Sequence, residues 1–178
     1  MRIIGGNNKG LRITPPVGLK LRPTTDFAKE ALFNMLQVNT DWSETEALDL
    51  FSGTGNIAFE LASRGCKSVT AVEKQKVAHD FIRRFSNEKK ITLQVFGTDV
   101  RIFMRKNKRA FDLVFADPPY DLDFLDQLPE LIWQHHLVKP NGLLIIEHGH
   151  KNKFEHCPEF IQQRQYGAVH FSLFRRKI

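Results

Sequence analysis

Cysteine is scarce: Cys66 and Cys157 are the only two in 178 residues. They stand far apart, with no C-x-x-C spacing and no zinc-like cluster, so both read as reduced thiols. Long apolar runs are missing as well. No window approaches the roughly 18 apolar residues that a membrane span needs, and the N-terminus has no apolar leader core. A cytosolic protein without a membrane partner is expected. Internal repeats and low-complexity tracts are absent too, which argues against a solenoid or a disordered chain. Acid is absent from one place in particular. Before Asp26 there is no Asp or Glu, whereas Arg2, Lys9, Arg12, Lys20 and Arg22 are spread through that stretch.

What is present suits one globular domain: 42% hydrophobic and 26% charged residues, with a formal charge of +6. A basic balance favours a polyanionic partner without identifying it. After residue 45 short apolar runs alternate with helix-period segments, the pattern of βαβ units. The strand candidates are Ala47–Phe51, Ser68–Glu73, Thr92–Phe96, Phe111–Ala116 and Gly142–Glu147. They are nearly continuous in apolar character, as parallel strands covered on both faces should be. Helices are predicted over Asn56–Arg64, Gln75–Asn87, Val100–Lys108 and Leu122–Leu137, with Pro129 able to kink or split the last. Phe160–Tyr166 and Ala168–Arg176 flank Gly167 and read as an antiparallel pair closing the sheet.

The N-terminal region differs. Arg2–Ile4 and Leu11–Thr14 are short β-like pieces broken by glycines and prolines, which predicts a small hairpin appendage over residues 1–23. The segment TTDFAKEALFNML then offers threonine caps at Thr24 or Thr25, with Ala28, Ala31, Leu32, Met35 and Leu36 on one helical face.

In open parallel sheets ligands sit beyond the carboxyl ends of the strands, so the residues closing each strand carry the most information. The first strand runs into DLFSGTG, Asp49 to Gly55. There Gly53 and Gly55 let the backbone turn tightly and approach a ligand, with Ser52 and Phe51 beside them. Glu73 closes the second strand 20 residues after Gly53, the usual distance for an acid that holds ribose hydroxyls. Asp99 follows the third strand and Asp117 the fourth. Gly53-x-Gly55-x-x-Ala58 also fits a loose dinucleotide fingerprint, so a nicotinamide or flavin cofactor competes. Asp49 beside the loop would repel a pyrophosphate and favour a cation. S-adenosylmethionine, with a sulfonium, an ammonium and no phosphate, is the cofactor this pattern points to.

The stretch FADPPYD, Phe115 to Asp121, is by itself consistent with a strand-ending turn. In the company of MRIIGG, Lys9–Gly10, LRPTTD before KEALFN, DLFSGTG and Val72–Lys74, it resembles the class I S-adenosylmethionine-dependent methyltransferases. Among these the chain resembles the 16S rRNA guanine-N2 methyltransferases over most of its length. The resemblance implies an α/β Rossmann-like fold, a seven-stranded mostly parallel sheet in the order 3-2-1-4-5-7-6, with helices on both faces. It implies a small N-terminal hairpin for RNA, a methyltransferase domain over residues 24–178, and a monomer without metal acting on 16S rRNA or the assembling small subunit. It assigns catalysis to Asp117, Pro118, Pro119 and Tyr120, and the cofactor to Asp49, Phe51, Ser52, Gly53, Gly55, Glu73, Lys74 and Asp99. Substrate contacts fall to Arg2, Lys9, Arg12, Lys20, Arg22, Thr24, Thr25 and Tyr120. A DNA adenine-N6 methyltransferase is the runner-up; a pyridine-nucleotide oxidoreductase and a catalytically silent RNA-binding module are the other classes left open.

Arg101, Arg105, Lys106, Lys108 and Arg109 read as a solvated face at the far end of the helix before the fourth strand. His148, His150, His156 and Cys157 are too irregularly spaced to predict a metal site.

Overall fold

The computed structural model describes residues 1–19 and 24–176. One seven-stranded sheet runs β3-β2-β1-β4-β5-β7-β6, the order implied above. Its parallel part is β1 (Glu46–Leu50), β2 (Ser68–Val72), β3 (Gln94–Phe96), β4 (Phe111–Ala116) and β5 (Val138–His148). The strands β6 (Phe160–Tyr166) and β7 (Val169–Phe174) form the closing antiparallel pair, with β7 hydrogen-bonded to β5. The helices are α1 (Asp26–Gln37), α2 (Asn56–Ser63), α3 (Lys76–Lys89), α4 (Val100–Lys106) and α5 (Leu128–Gln134).

Both faces of the sheet are covered, which is why its central strands are apolar on both sides over most of their length. Leu48, Leu50, Val114, Ala116, Leu144 and Ile146 pack against α4 and α5. The alternate residues, including Ala47, Leu113, Phe115 and Ile145, pack against α1 and α2. The face of α1 is wider than predicted, since Lys29 and Phe33 are buried beside Ala28, Leu32 and Leu36, while Ala31 and Met35 are half-buried. Thr25 supplies the cap, its hydroxyl accepting the Ala28 N–H at 3.2 Å.

Two expectations are corrected. The segment predicted as one helix over Leu122–Leu137 is a loop and a 3-10 turn followed by α5, whose first turn contains Pro129. There the missing proline donor would be unpaired anyway, so the ring starts the helix rather than kinking it. The fifth strand begins before Gly142: Val138 pairs with Phe111, and the register shifts before Leu143 meets Leu113. Pro140 and the left-handed Asn141 (φ 62°) interrupt the ladder between them. The N-terminal arm folds back on itself: Arg2 bridges Arg12 in antiparallel fashion, and Ile3, Gly10 and Ile13 donate their N–H groups to the Leu11, Ile3 and Met1 carbonyls at 2.9, 2.8 and 3.1 Å.

That arm is fastened down. Ile3 and Ile13 are buried with Phe59 of α2 and Phe81, Ile82 and Phe85 of α3, forming a third apolar cluster. Glu60 of α2 accepts the N–H groups of Ile4 and Gly5 at 2.7 and 2.9 Å. Gly6 has φ 73°, and a β-carbon there would come within 1.8 Å of the Ser63 carbonyl oxygen, so only glycine lets the arm lie this close to α2.

Candidate active site

The register of the sheet builds the site. Leu50 pairs with both Val72 and Ala116, Val72 with Phe96, and Ala116 with Ile146. These four central strand ends are therefore level, and the next residue of each, Phe51, Glu73, Asp117 and Glu147, emerges on one row at the carboxyl edge. Three carboxylates of that row come from neighbouring stretches of sheet and not of sequence.

Beyond this row lies a cavity of about 410 Å³. From β1 and its loop, Asp49, Phe51, Ser52 and Gly53 line it; from β2, Glu73 and Lys74. Asp99, Thr24 and all four residues of the DPPY stretch, Asp117 to Tyr120, line it as well. The structure thus brings together nearly every residue that the sequence nominated for cofactor and catalysis.

Each is held in a particular way. Phe51 is left-handed at φ 61°, a conformation costing a residue with a β-carbon about 1–3 kcal/mol. Such strain turns the chain sharply out of β1 and over the cavity. Gly53 follows at φ 55° and donates its N–H to Glu73 Oε2 at 2.8 Å. Glu73 Oε1 accepts the Gln75 N–H at 2.7 Å, so this buried carboxylate is oriented by two backbone donors. Ser52 ties β1 to β2: its hydroxyl donates to the Asp49 carbonyl at 2.7 Å and accepts the Val72 N–H at 3.1 Å.

Asp49 is 1% exposed and accepts the Ala58 N–H of α2 at 3.1 Å. Burial pushes its carboxyl up to about 8, outweighing the bonds from Ala58 and Ser52, with Glu73 adding repulsion. Asp49 is therefore protonated at neutral pH, whereas its place beside the glycine loop suggests a charged group. Asp99 lies below its usual range. Desolvation opposes this shift, but bonds from the Arg101 backbone N–H at 2.9 Å and guanidinium at 3.3 Å overcome it, with Lys74 nearby.

Other assignments change. Gly55 does not line the cavity; it caps α2 at φ 78°, and a β-carbon there would meet Phe59 at 2.7 Å. Arg101 sits in the first turn of α4 beside Asp99, not at the far end of a solvated helix. Arg109 reaches back to Glu46 at 3.0 Å, in a network with Lys139 and Asp112 at the opposite edge of the sheet. Thr25 is exposed and engaged as a helix cap. Arg2, Lys9 and Arg12 are exposed on the arm and do not line the cavity, and Arg2 pairs with Asp26 at 3.4 Å. Lys20 and Arg22 lie outside the described residues.

Several residues near the cavity were missed, among them Asn56 and Glu147. Asn56 lines it, with its side chain bonded to Lys29 Nζ at 2.7 Å and to the Thr24 carbonyl at 3.3 Å. Glu147, 3% exposed, accepts the Thr24 hydroxyl at 2.6 Å and the Tyr120 hydroxyl at 3.4 Å. Glu147 was legible by the rule that found Glu73 and Asp117, since it closes a strand.

Among the described residues no helix is long and apolar enough to cross a membrane. Cys66 and Cys157 are both free thiols, and burial pushes Cys66 up to about 12.

A family model described as conserved hypothetical protein 95 matches residues 1–175. Ribosomal RNA small subunit methyltransferase D of Buchnera aphidicola is 32% identical, covering 98% of this chain and 91% of the relative. The protein of the same name from Haemophilus influenzae is 31% identical, over 98% and 93%. A solved structure of a hypothetical protein from Thermus thermophilus superposes with a TM-score of 0.87 at 25% identity, covering 99% of each chain.

Proposed function

Because the chain belongs to the conserved hypothetical protein 95 family, whose relatives include ribosomal RNA small subunit methyltransferases, we propose that it methylates the exocyclic N2 of a guanine in 16S rRNA. S-adenosylmethionine is the methyl donor. The observation that carries this reading is the meeting of Glu73, from β2, with Asp117 and Tyr120, after β4, around one cavity beside a strained glycine loop.

The residues present suit that donor. Its ribose hydroxyls need acceptors, and Glu73 is a carboxylate fixed at the level end of β2. Its ammonium and sulfonium favour acidic surroundings, which Asp99 provides outright and Asp49 provides once a bound cation draws off its proton. A dinucleotide fits less well. Pyrophosphate is bound through bare N–H groups at a glycine loop and helix start, yet here Asp49 takes the Ala58 N–H and Glu73 takes that of Gly53. When bound, S-adenosylmethionine supplies an electrophilic methyl group on a sulfonium.

The chain's own work is on the amine. An exocyclic guanine nitrogen is a poor nucleophile because its lone pair is delocalised into the ring. The Asp117 carboxylate and the Pro118 carbonyl accept its two N–H bonds, draw the nitrogen toward tetrahedral geometry and aim the lone pair. Pro118 is buried and Pro119 exposed, and two consecutive rings stiffen these acceptors. Positive charge grows on nitrogen as the bond forms, so acceptors fixed in advance stabilise the transition state more than the ground state. Asp117 then takes the proton. Tyr120 stacks on the base, which has left its own stack to enter. The acid-free arm over residues 1–23 supplies phosphate contacts through Arg2, Lys9 and Arg12.

The test is to incubate the protein with isotope-labelled donor and RNA from cells lacking it, digest, and identify the nucleoside by mass spectrometry. N2-methylguanosine from small-subunit RNA is expected. Label in the adenine of DNA offered in a parallel incubation, with none in the RNA, would replace this reading with the DNA adenine-N6 activity.

A further inference from the structure

The end of β5 approaches the slot that the function assigns to the base. Glu147, His148 and Gly149 follow one another there, and each bears on Tyr120 or on the backbone that supports it. Glu147 Oε1 meets the Tyr120 hydroxyl at 3.4 Å, while its Oε2 accepts the Thr24 hydroxyl at 2.6 Å. Gly149 lies under the ring: a β-carbon there would stand 3.0 Å from Tyr120 Cδ2 and 3.3 Å from Cε2. Such distances are tighter than ordinary contact, so the absent side chain at 149 decides where the ring can lie.

His148 holds this peptide in place. It is fully buried, with Nδ1 2.9 Å from the Gly149 carbonyl and Nε2 2.8 Å from the Ser172 hydroxyl. A carbonyl only accepts, so Nδ1 carries the proton and Nε2 accepts from Ser172. Burial lowers the pKa of this imidazole, which keeps it neutral in that role. The register sets the same residues against β7, Glu147 beside Phe171 and His148 beside His170.

We propose that Glu147 and Gly149 are positioning residues that set the plane of the Tyr120 ring, and thereby the pose of the target base, from a support built at the end of β5. Glu147 also ties that ring to Thr24, the residue leading from the arm into α1. The inference rests on the assignment of Tyr120 to the base and goes beyond it, because Glu147 and Gly149 stand behind the residues that line the cavity rather than among them.

The experiment uses the full chain, labelled donor and RNA. Gly149→Ala is expected to lower kcat/KM for RNA about 10-fold, since small misplacements of a reacting group are costly in rate, with donor Kd within about twofold of the parent. On a Tyr120→Ala background the same substitution is expected to have no further effect, because the ring it displaces is gone. Glu147→Ala should behave likewise, with Glu147→Gln recovering most of the loss. Additive effects on the Tyr120→Ala background, or an equal loss of donor affinity and RNA use, would overturn the proposal. A parent protein that transfers no methyl group to RNA removes both this inference and the functional reading; an active parent with additive variants removes this inference alone.

Discussion

Glu60 and the cavity acids Asp49 and Glu73 are all buried, yet they meet burial in opposite ways. Glu60 sits against Lys29 Nζ at 3.5 Å and Arg64 Nε at 2.8 Å, with two arm amides completing its shell. Lys29 is equally buried and donates to the Arg2 carbonyl at 2.6 Å and to Asn56. That network is closed: the Glu60 carboxylate has two cations and two amides for partners, and its product is an arm fastened to α1 and α2. Asp49 and Glu73, a few residues away in the fold, have no Lys or Arg paired with them among the described residues, only backbone N–H donors. They face a cavity. A buried carboxylate without a cation is costly to keep ionised, and Asp49 responds by holding its proton. The difference separates a structural use of buried charge from a site prepared for a cationic ligand.

The comparison would break most visibly at Lys29. Lys29→Met should destabilise the fold by about 3 kcal/mol, the lower end for opening a buried pair, because Arg64 and two amides still serve Glu60. A denaturant midpoint unchanged from the parent would show that the network is not closed as described.

Asp117→Ala should retain donor binding and lose turnover by about 10²–10³-fold, read as single-turnover methyl transfer. Near-normal turnover would remove Asp117 from its role. Glu73→Ala should do the reverse, weakening the donor by about 10- to 100-fold, as expected for a lost charged hydrogen bond. Calorimetric titration reads it, and parent-like affinity would contradict the ribose assignment.

Asp49 sharpens the contrast through pH. Its pKa when folded, about 8, is raised above the unfolded value. The stability it contributes is therefore present below the unfolded value and is lost as pH rises through about 8. A bound cation favours the ionised form, so donor binding at pH 7 should release up to about one proton more in the parent than in Asp49→Asn. Titrations in buffers of different ionisation enthalpy measure this, and equal release in the two proteins would count against it. The smallest effect belongs to the arm. Lys9→Ala and Arg12→Ala should each reduce the salt dependence of RNA binding by about one unit of slope, without changing donor affinity.

How far these regions could be read beforehand differs with the physics. DLFSGTG, Glu73 and DPPY announced themselves because strand ends in a parallel sheet are where ligands gather, and local spacing reveals strand ends. Glu147 was equally accessible by that rule but was passed over, since its partners Thr24 and Tyr120 stand 123 and 27 residues away. The closed network was invisible: nothing local distinguishes Lys29 in KEALFN from a solvent-facing lysine, and only packing of α1 against α2 buries it. Gly55 misled in the other direction. Its place in the glycine motif suggested a ligand, whereas the neighbouring Phe59 ring accounts for it.

By itself the sequence determined the alternation of strands and helices, the acidic closure of successive strands and the basic character of the first residues, because each depends on periodicity or composition within a short window. Only the tertiary structure decided which buried charges are matched, which glycines face a cavity, and that the end of β5 supports Tyr120. Those outcomes depend on groups distant in the chain coming within a few ångströms, and the level register of β1, β2, β4 and β5 is what brings them there.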